Sequence, residues 1–260
     1  MSFVKIGNFK IGYTEKGKVN GKTPIVFLHG VGSDKSVWNE QIDFFSASRR
    51  AIAFDYAGYG ESDLPEKKLT REEISAFVLK AMDDLEVEIA DVVGLSMGGV
   101  IALEMFRQTK KRIHSLVLAN TFAKHPNGVE VVERSQKFIE NHSMLDFAEQ
   151  RVELLLAPQT SQAIRSEVVE SMSRIDKSTY DWASTAVWMA DYTDLLSEIN
   201  IPTLVIGSEL DVPTPSELSK ELAEKIPKAK LAIIENAGHL SNLDQPQIFN
   251  SLIVKFIEGK

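Results

Sequence analysis

The chain has no cysteine among its 260 residues. That excludes disulfides, thiol nucleophiles and cysteine metal sites. It also lacks an excess of cations. Its 29 Lys and Arg stand against 37 Asp and Glu, a formal net charge of −8, and the isoelectric point is near 5.3. With no lysine- or arginine-rich block either, the balance argues against nucleic acid or an anionic membrane as the main partner. No apolar run is long enough to span a bilayer. The first residues, Met1-Ser2-Phe3-Val4-Lys5-Ile6, lack an apolar signal core, so a cytoplasmic location is the expectation. There is no internal repeat and no low-complexity segment. The hydrophobic share is 43%, enough to build the core of one α/β domain with an inserted subdomain.

The stretch that organises the chain runs from Val92 to Leu103. Ile89 to Val93 is apolar and rich in β-branched residues, as a buried parallel strand requires. Ala102 to Phe106 reads as helix. Between them lies Gly94-Leu95-Ser96-Met97-Gly98. A strand that turns directly into a helix has no room for side chains beside the turn, and the two glycines provide that room. Such a turn pushes the Ser96 hydroxyl out of the sheet, with the positive end of the helix behind it. The Met97 N–H then faces the place where an oxyanion would form.

Alternating apolar residues from Phe3 to Tyr13, interrupted at Gly7-Asn8, predict an antiparallel hairpin. The strand Ile25-Val26-Phe27-Leu28 ends in His29-Gly30-Val31-Gly32-Ser33. The Val31 N–H is the second candidate oxyanion donor, and His29 reads as a structural, hydrogen-bonding histidine. Asp55, after the strand Ala51–Phe54, is expected to hold its glycine-rich loop by hydrogen bonds. Thr70 with Glu73 is a capping box.

From about Thr121 to Tyr192 the strand–helix alternation stops, and four helical patterns follow one another. We read residues 121–192 as a helical cap over a core made of 1–120 and 193–260. Trp182, Trp188 and Phe138, with Met144 and Met172, are the cap residues expected to line a substrate pocket. The alternation resumes at Pro202. A strand at Thr203–Ile206 leads to Glu209-Leu210-Asp211, and a strand at Leu231–Ile234 leads to Gly238-His239. Ser96, Asp211 and His239 thus each follow a sheet strand. A serine hydroxyl is too weak an acid to attack unaided. His239 would take its proton, and Asp211 would fix the imidazole tautomer and stabilise its cation. Both Glu209 and Asp211 lie in the acid loop. Asp211 is preferred for its shorter side chain and for the prolines that follow it.

With these motifs in place, the chain resembles the α/β-hydrolase superfamily from end to end. The resemblance rests on His29-Gly30-Val31-Gly32, Asp55…Gly58-x-Gly60-x-Ser62, Gly94-Leu95-Ser96-Met97-Gly98-Gly99, Asp211-x-x-Thr214-Pro215 and Gly238-His239. Asp211-Val212-Pro213-Thr214-Pro215 and Gly238-His239-Leu240-Ser241-Asn242 look like 3-oxoadipate enol-lactonases and related carboxylesterases. The resemblance implies a mostly parallel sheet with helices on both faces and an inserted cap. It implies a serine hydrolase of carboxylic esters or lactones, acting through an acyl-enzyme without metal or organic cofactor. Where the family often has arginine after Asp55, this chain has Tyr56. Alternatives are a cofactor-free haloperoxidase-like esterase, a carbon–carbon bond hydrolase, and a signalling or ligand-receptor protein of the same fold with a protein partner and little turnover. A substrate bearing a carboxylate would need a cation in the pocket. Arg134, Arg151, Arg165 and Arg174 are the cap's candidates for it.

Overall fold

The computed structural model describes residues 2–259. Eight strands form one sheet: β1 (Ser2–Ile6), β2 (Phe9–Lys16), β3 (Ile25–Leu28), β4 (Ala51–Phe54), β5 (Ala90–Leu95), β6 (Ile113–Ala119), β7 (Thr203–Ser208) and β8 (Lys230–Ile234). Their spatial order is β1-β2-β4-β3-β5-β6-β7-β8. β1 and β2 pair antiparallel, as their alternation predicts, and β2 pairs antiparallel with β4; from β4 to β8 every pairing is parallel. Every residue of β3, β4, β5 and β7 is buried. That explains why these strands read as continuous apolar runs and not as alternation.

The core helices are α1 (Asn39–Ser46), α2 (Arg71–Asp84) and α3 (Met97–Gln108). Four more lie between β6 and β7: α4 (Gly128–Asn141), α5 (Met144–Leu155), α6 (Gln162–Ser173) and α7 (Lys177–Trp188). After β7 come α8 (Ser216–Lys225), the short α9 (Ser241–Asp244) and α10 (Pro246–Glu258). The strand order reverses at β3. Right-handed crossovers then put α1 on one face and α2 and α3 on the other; α2 packs on α3, and the C-terminal α10 packs on α1. Trp38, fully buried, lies between Phe27 of β3 and Phe249 of α10, with ring centroids 5.0 and 6.0 Å away. Burying such side chains contributes about 2–3 kcal/mol each, which ties the last helix to the first parallel strand. Thr70 and Glu73 form the capping box at the start of α2.

The segment carrying α4 to α7 leaves and re-enters the core at one point. Lys124 and Asp191 form an isolated antiparallel bridge, and their side chains pair at 2.8 Å. Tyr192 N–H donates to Ala123 O. The Lys124 ammonium holds the Asp191 carboxyl down to about 2.

α3 lies so close to the sheet that its first turn tolerates no side chain at position 98. A Cβ on Gly98 would sit 2.0 Å from the Leu28 carbonyl oxygen, and one on Gly94 would sit 2.3 Å from the Gly98 oxygen. Gly98→Ala should therefore cost about 3 kcal/mol or more in urea unfolding. Gly7→Ala is the control. It has left-handed backbone but no atom within 4 Å, and should cost only about 1 kcal/mol. A smaller loss at Gly98 than at Gly7 would mean that α3 can slide off β3.

Candidate active site

Ser96 sits between β5 and α3 with φ 55° and ψ −117°, a conformation that costs a non-glycine residue roughly 1–3 kcal/mol. Hydrogen bonds on both sides of the residue hold it there. Ser96 N–H donates to Ala119 O at 2.9 Å, Thr121 Oγ1 donates to Ser96 O at 2.8 Å, and Gly99 N–H donates to the same oxygen at 2.9 Å. Beside it runs the loop after β3. Gly30 is in close contact, since a Cβ there would lie 3.4 Å from Ser96 Cβ. Among the described residues, the N–H groups of Val31 and Met97 donate to no partner, which leaves both available to an oxyanion.

His29 anchors that loop. Its ring is fully buried, Nδ1 lies 2.8 Å from Gly30 O, and Nε2 accepts from the Tyr56 N–H at 3.3 Å. Those contacts require the neutral tautomer with its proton on Nδ1, and burial lowers the pKa accordingly. Asp55 does hold its loop: it accepts from the backbone N–H groups of Lys35 and Glu61. The cation absent at Tyr56 is supplied by Lys35, whose ammonium is 2.6 Å from Asp55.

The acid and the histidine meet. His239 Nδ1 is 3.0 Å from both carboxylate oxygens of Asp211. Thr214 donates to Asp211 from its N–H at 2.8 Å and from its hydroxyl at 2.7 Å. Burial alone would raise the Asp211 pKa. The attraction of His239 and the hydrogen bonds from His239 and Thr214 outweigh it, and hold the carboxyl below the ordinary carboxylate range. Glu209 points elsewhere and accepts from the Asn236 N–H at 2.9 Å.

Sequence reasoning passed over Asn120 because the end of β6 offers no carboxylate. Its amide nitrogen donates to Asp211 Oδ2 and to Ser208 Oγ, each at 2.8 Å, and its oxygen accepts from Ser241 Oγ at 2.7 Å. It does so with φ 47°, a backbone that asparagine tolerates better than most residues. One side chain thus ties the acid loop to the histidine loop. An asparagine directly after a buried strand was the available signal.

Ser96 and His239 line one small cavity of about 20 Å³, together with Val31, Leu155, Met172, Tyr180 and Trp188. Arg151 is the only one of the four candidate arginines there. Arg134 is exposed, Arg165 pairs with Glu153, and Arg174 pairs with Glu170. Three cap expectations need correction. Trp182 lines a groove on a different part of the cap with Glu133, Lys137 and Asp181. Phe138 stacks on His142 at 4.1 Å and packs on Phe147. The expectation put two tryptophans of one helix on the same wall. Six residues of α-helix turn through about 240°, so only one of Trp182 and Trp188 can face inward. Met144 is likewise buried away from the cavity. Tyr180 and Leu155 are lining residues that sequence reasoning missed.

The depressed Asp211 pKa has a consequence for acid stability. Its contribution is complete above the ordinary carboxylate pKa of about 3.9 and is lost as pH falls through the lower folded value. Thermal melts of Asp211→Asn between about pH 2 and 5 should therefore show a shallower acid decline than the unsubstituted chain. An unchanged slope would mean that Asp211 is not stabilised as an anion.

Residues 23–246 match the family model described as alpha/beta hydrolase fold. The chain is 26% identical over 254 residues to 3-oxoadipate enol-lactonase 1 of Acinetobacter baylyi, covering 95% of this chain and 94% of that protein. It is 26% identical over 270 residues to 2-hydroxy-6-oxononadienedioate/2-hydroxy-6-oxononatrienedioate hydrolase of Cupriavidus pinatubonensis, covering 96% and 91%. The crystal structure of the enol-lactonase from Burkholderia xenovorans superposes with a TM-score of 0.92 at 25% identity, over 99% of this chain and 100% of that one. The mostly parallel sheet, the turn at Ser96 and the match over residues 23–246 lead to one conclusion: this chain belongs to the α/β-hydrolase fold family.

Proposed function

We propose that the protein is a serine hydrolase of carboxylic esters or lactones that works through an acyl-enzyme. The observation that carries this reading is the pairing of His239 Nδ1 with Asp211 at 3.0 Å beside a strained Ser96 in the same cavity. With Nδ1–H directed at Asp211, the other ring nitrogen is left as an acceptor for the serine proton. Ser96 Oγ attacks the carbonyl carbon while His239 takes its proton. The N–H groups of Val31 and Met97 receive the developing oxyanion. His239 then returns the proton to the departing oxygen. A water activated by the same imidazole cleaves the acyl-enzyme. The family relatives named for lactone and dienedioate hydrolysis support hydrolysis as the reaction class.

Tests use one activated ester and one lactone, with thermal melts to exclude unfolding. Ser96→Ala should remove turnover on the order of a million-fold, by the precedent of subtilisin. Activity surviving within tenfold overturns the reading. Asp211→Asn keeps the shape but favours the wrong histidine tautomer, and should cost about ten-thousand-fold in kcat by the serine-protease precedent. Glu209→Gln should stay within about tenfold, because its carboxylate only braces the Asn236 turn. A greater loss at Glu209 would reverse the assignment of the acid.

A further inference from the structure

Few bonds hold the acid loop from outside. Pro213 and Pro215 have no N–H to donate, and Val212 is exposed. Among the described residues, the backbone of Val212, Pro213 and Thr214 receives one hydrogen bond from a distant part of the chain, and it comes from His125. The His125 Nε2–H donates to Pro213 O at 3.2 Å. Nδ1 of the same ring accepts from the Asn127 N–H, also at 3.2 Å, which places the ring proton on Nε2. Burial lowers the pKa of this half-buried ring, against the opposing pull of its bond to Pro213 and of Glu130. The neutral form that both bonds require is therefore the one present at neutral pH. The ring has little freedom. It meets Trp188 edge-on at 4.8 Å and Phe122 edge-on at 5.2 Å, and the Lys124–Asp191 bridge fixes the backbone one residue before it. Glu130 and Arg134 of α4, Arg151 of α5 and Glu217 of α8 share with it the lining of a chamber of about 550 Å³.

The carbonyl that His125 holds and the N–H that Thr214 gives to Asp211 belong to one peptide group. That group is trans, rigid and flat. Its C=O and N–H point in opposite directions, so fixing one fixes the other. The Thr214 N–H reaches Asp211 Oδ1 at 2.8 Å, and the same oxygen lies 3.0 Å from His239 Nδ1. A bond accepted at the carbonyl also polarises the peptide and strengthens its N–H as a donor. Resting on the hydrolase reading above, we propose that His125 is a positioning residue: it sets the Pro213–Thr214 peptide that aims the Asp211 carboxylate at His239. The segment leading into α4 thereby reaches the acid of the site through one imidazole.

Three variants separate this hydrogen bond from the packing of the ring. His125→Phe keeps a ring against Trp188 and removes the donor. His125→Asn carries its amide at the Nδ1 place, short of Pro213. His125→Gln carries an amide N–H at the Nε2 place. On one activated ester, His125→Phe and His125→Asn should lower kcat roughly threefold to tenfold, the worth of one hydrogen bond, with KM changed less than about twofold. His125→Gln should recover kcat to within about twofold of the unsubstituted chain. A second readout needs no substrate. The Asp211 carboxyl carbon, followed by NMR through an acid titration, should titrate at higher pH in His125→Phe and His125→Asn, because the Thr214 N–H helps to hold the carboxylate charged. His125→Gln should titrate as the unsubstituted chain does. A kcat unmoved by Phe or Asn, an equal loss in all three variants, or an Asp211 titration that stays put overturns the role. If the Asp211 titration follows this pattern while the unsubstituted chain hydrolyses no ester, the hydrolase reading fails and the positioning role stands.

Discussion

The constraint on which the site depends is the contact between the first turn of α3 and the end of β3. The Leu28 carbonyl lies where a side chain at position 98 would begin. That approach lets the chain turn from strand to helix within one residue and forces Ser96 into a conformation that few residues adopt. The strain is outweighed by what surrounds it: the buried strand β3 on one side, the buried stretch Ser115–Ala119 of β6 on the other, and the hydrogen bonds from Thr121 and Gly99 that fix the Ser96 carbonyl. A looser turn would let the Ser96 side chain rotate away from the cavity it lines.

A second link joins the other two loops. Asp211 and His239 follow different strands, β7 and β8, and their loops would be free to drift apart by the ångström that breaks the hydrogen bond between them. Asn120 prevents this with one amide group, binding Asp211 through nitrogen and Ser241 through oxygen. The histidine loop is also tied to α5. Leu240 N–H donates to Leu155 O, and Asp244 accepts from the N–H groups of both Gly238 and Ala157. The helices inserted between β6 and β7 therefore do more than cover the cavity. They help set the position of His239.

The two regions differ in how far sequence could be read, and the difference is physical. Ser96, Asp211 and His239 stand in turns whose chemistry is local: a buried strand, then small or polar residues in a tight loop, so a few neighbours specify the geometry. The same holds for the hairpin, the capping box at Thr70 and the Asp55 loop. Side-chain direction in the inserted helices is set by packing between elements distant in sequence. Apolar residues lie on more than one face of α4 and α7, and aromaticity alone favours Trp182 and Phe138 over Tyr180. The helical period would have separated Trp182 from Trp188, but not said which faces inward. Asn120 was invisible for another reason: its role is to hydrogen-bond a carboxylate supplied 91 residues later in the chain.

The cavity at Ser96, about 20 Å³, holds roughly one water, so any ester must displace part of its wall. Rigid rotation of the inserted helices would break the Lys124–Asp191 bridge at their base and the ties from Leu155 and Ala157 to the histidine loop, misplacing His239 as the substrate arrived. Trp188 is no easier to move. It stacks on Phe122 at 5.2 Å, meets His125 edge-on at 4.8 Å, and its backbone carbonyl leaves no room for a side chain at Gly128. Among the described residues Arg151 forms no hydrogen bond and no ion pair, so its displacement breaks neither.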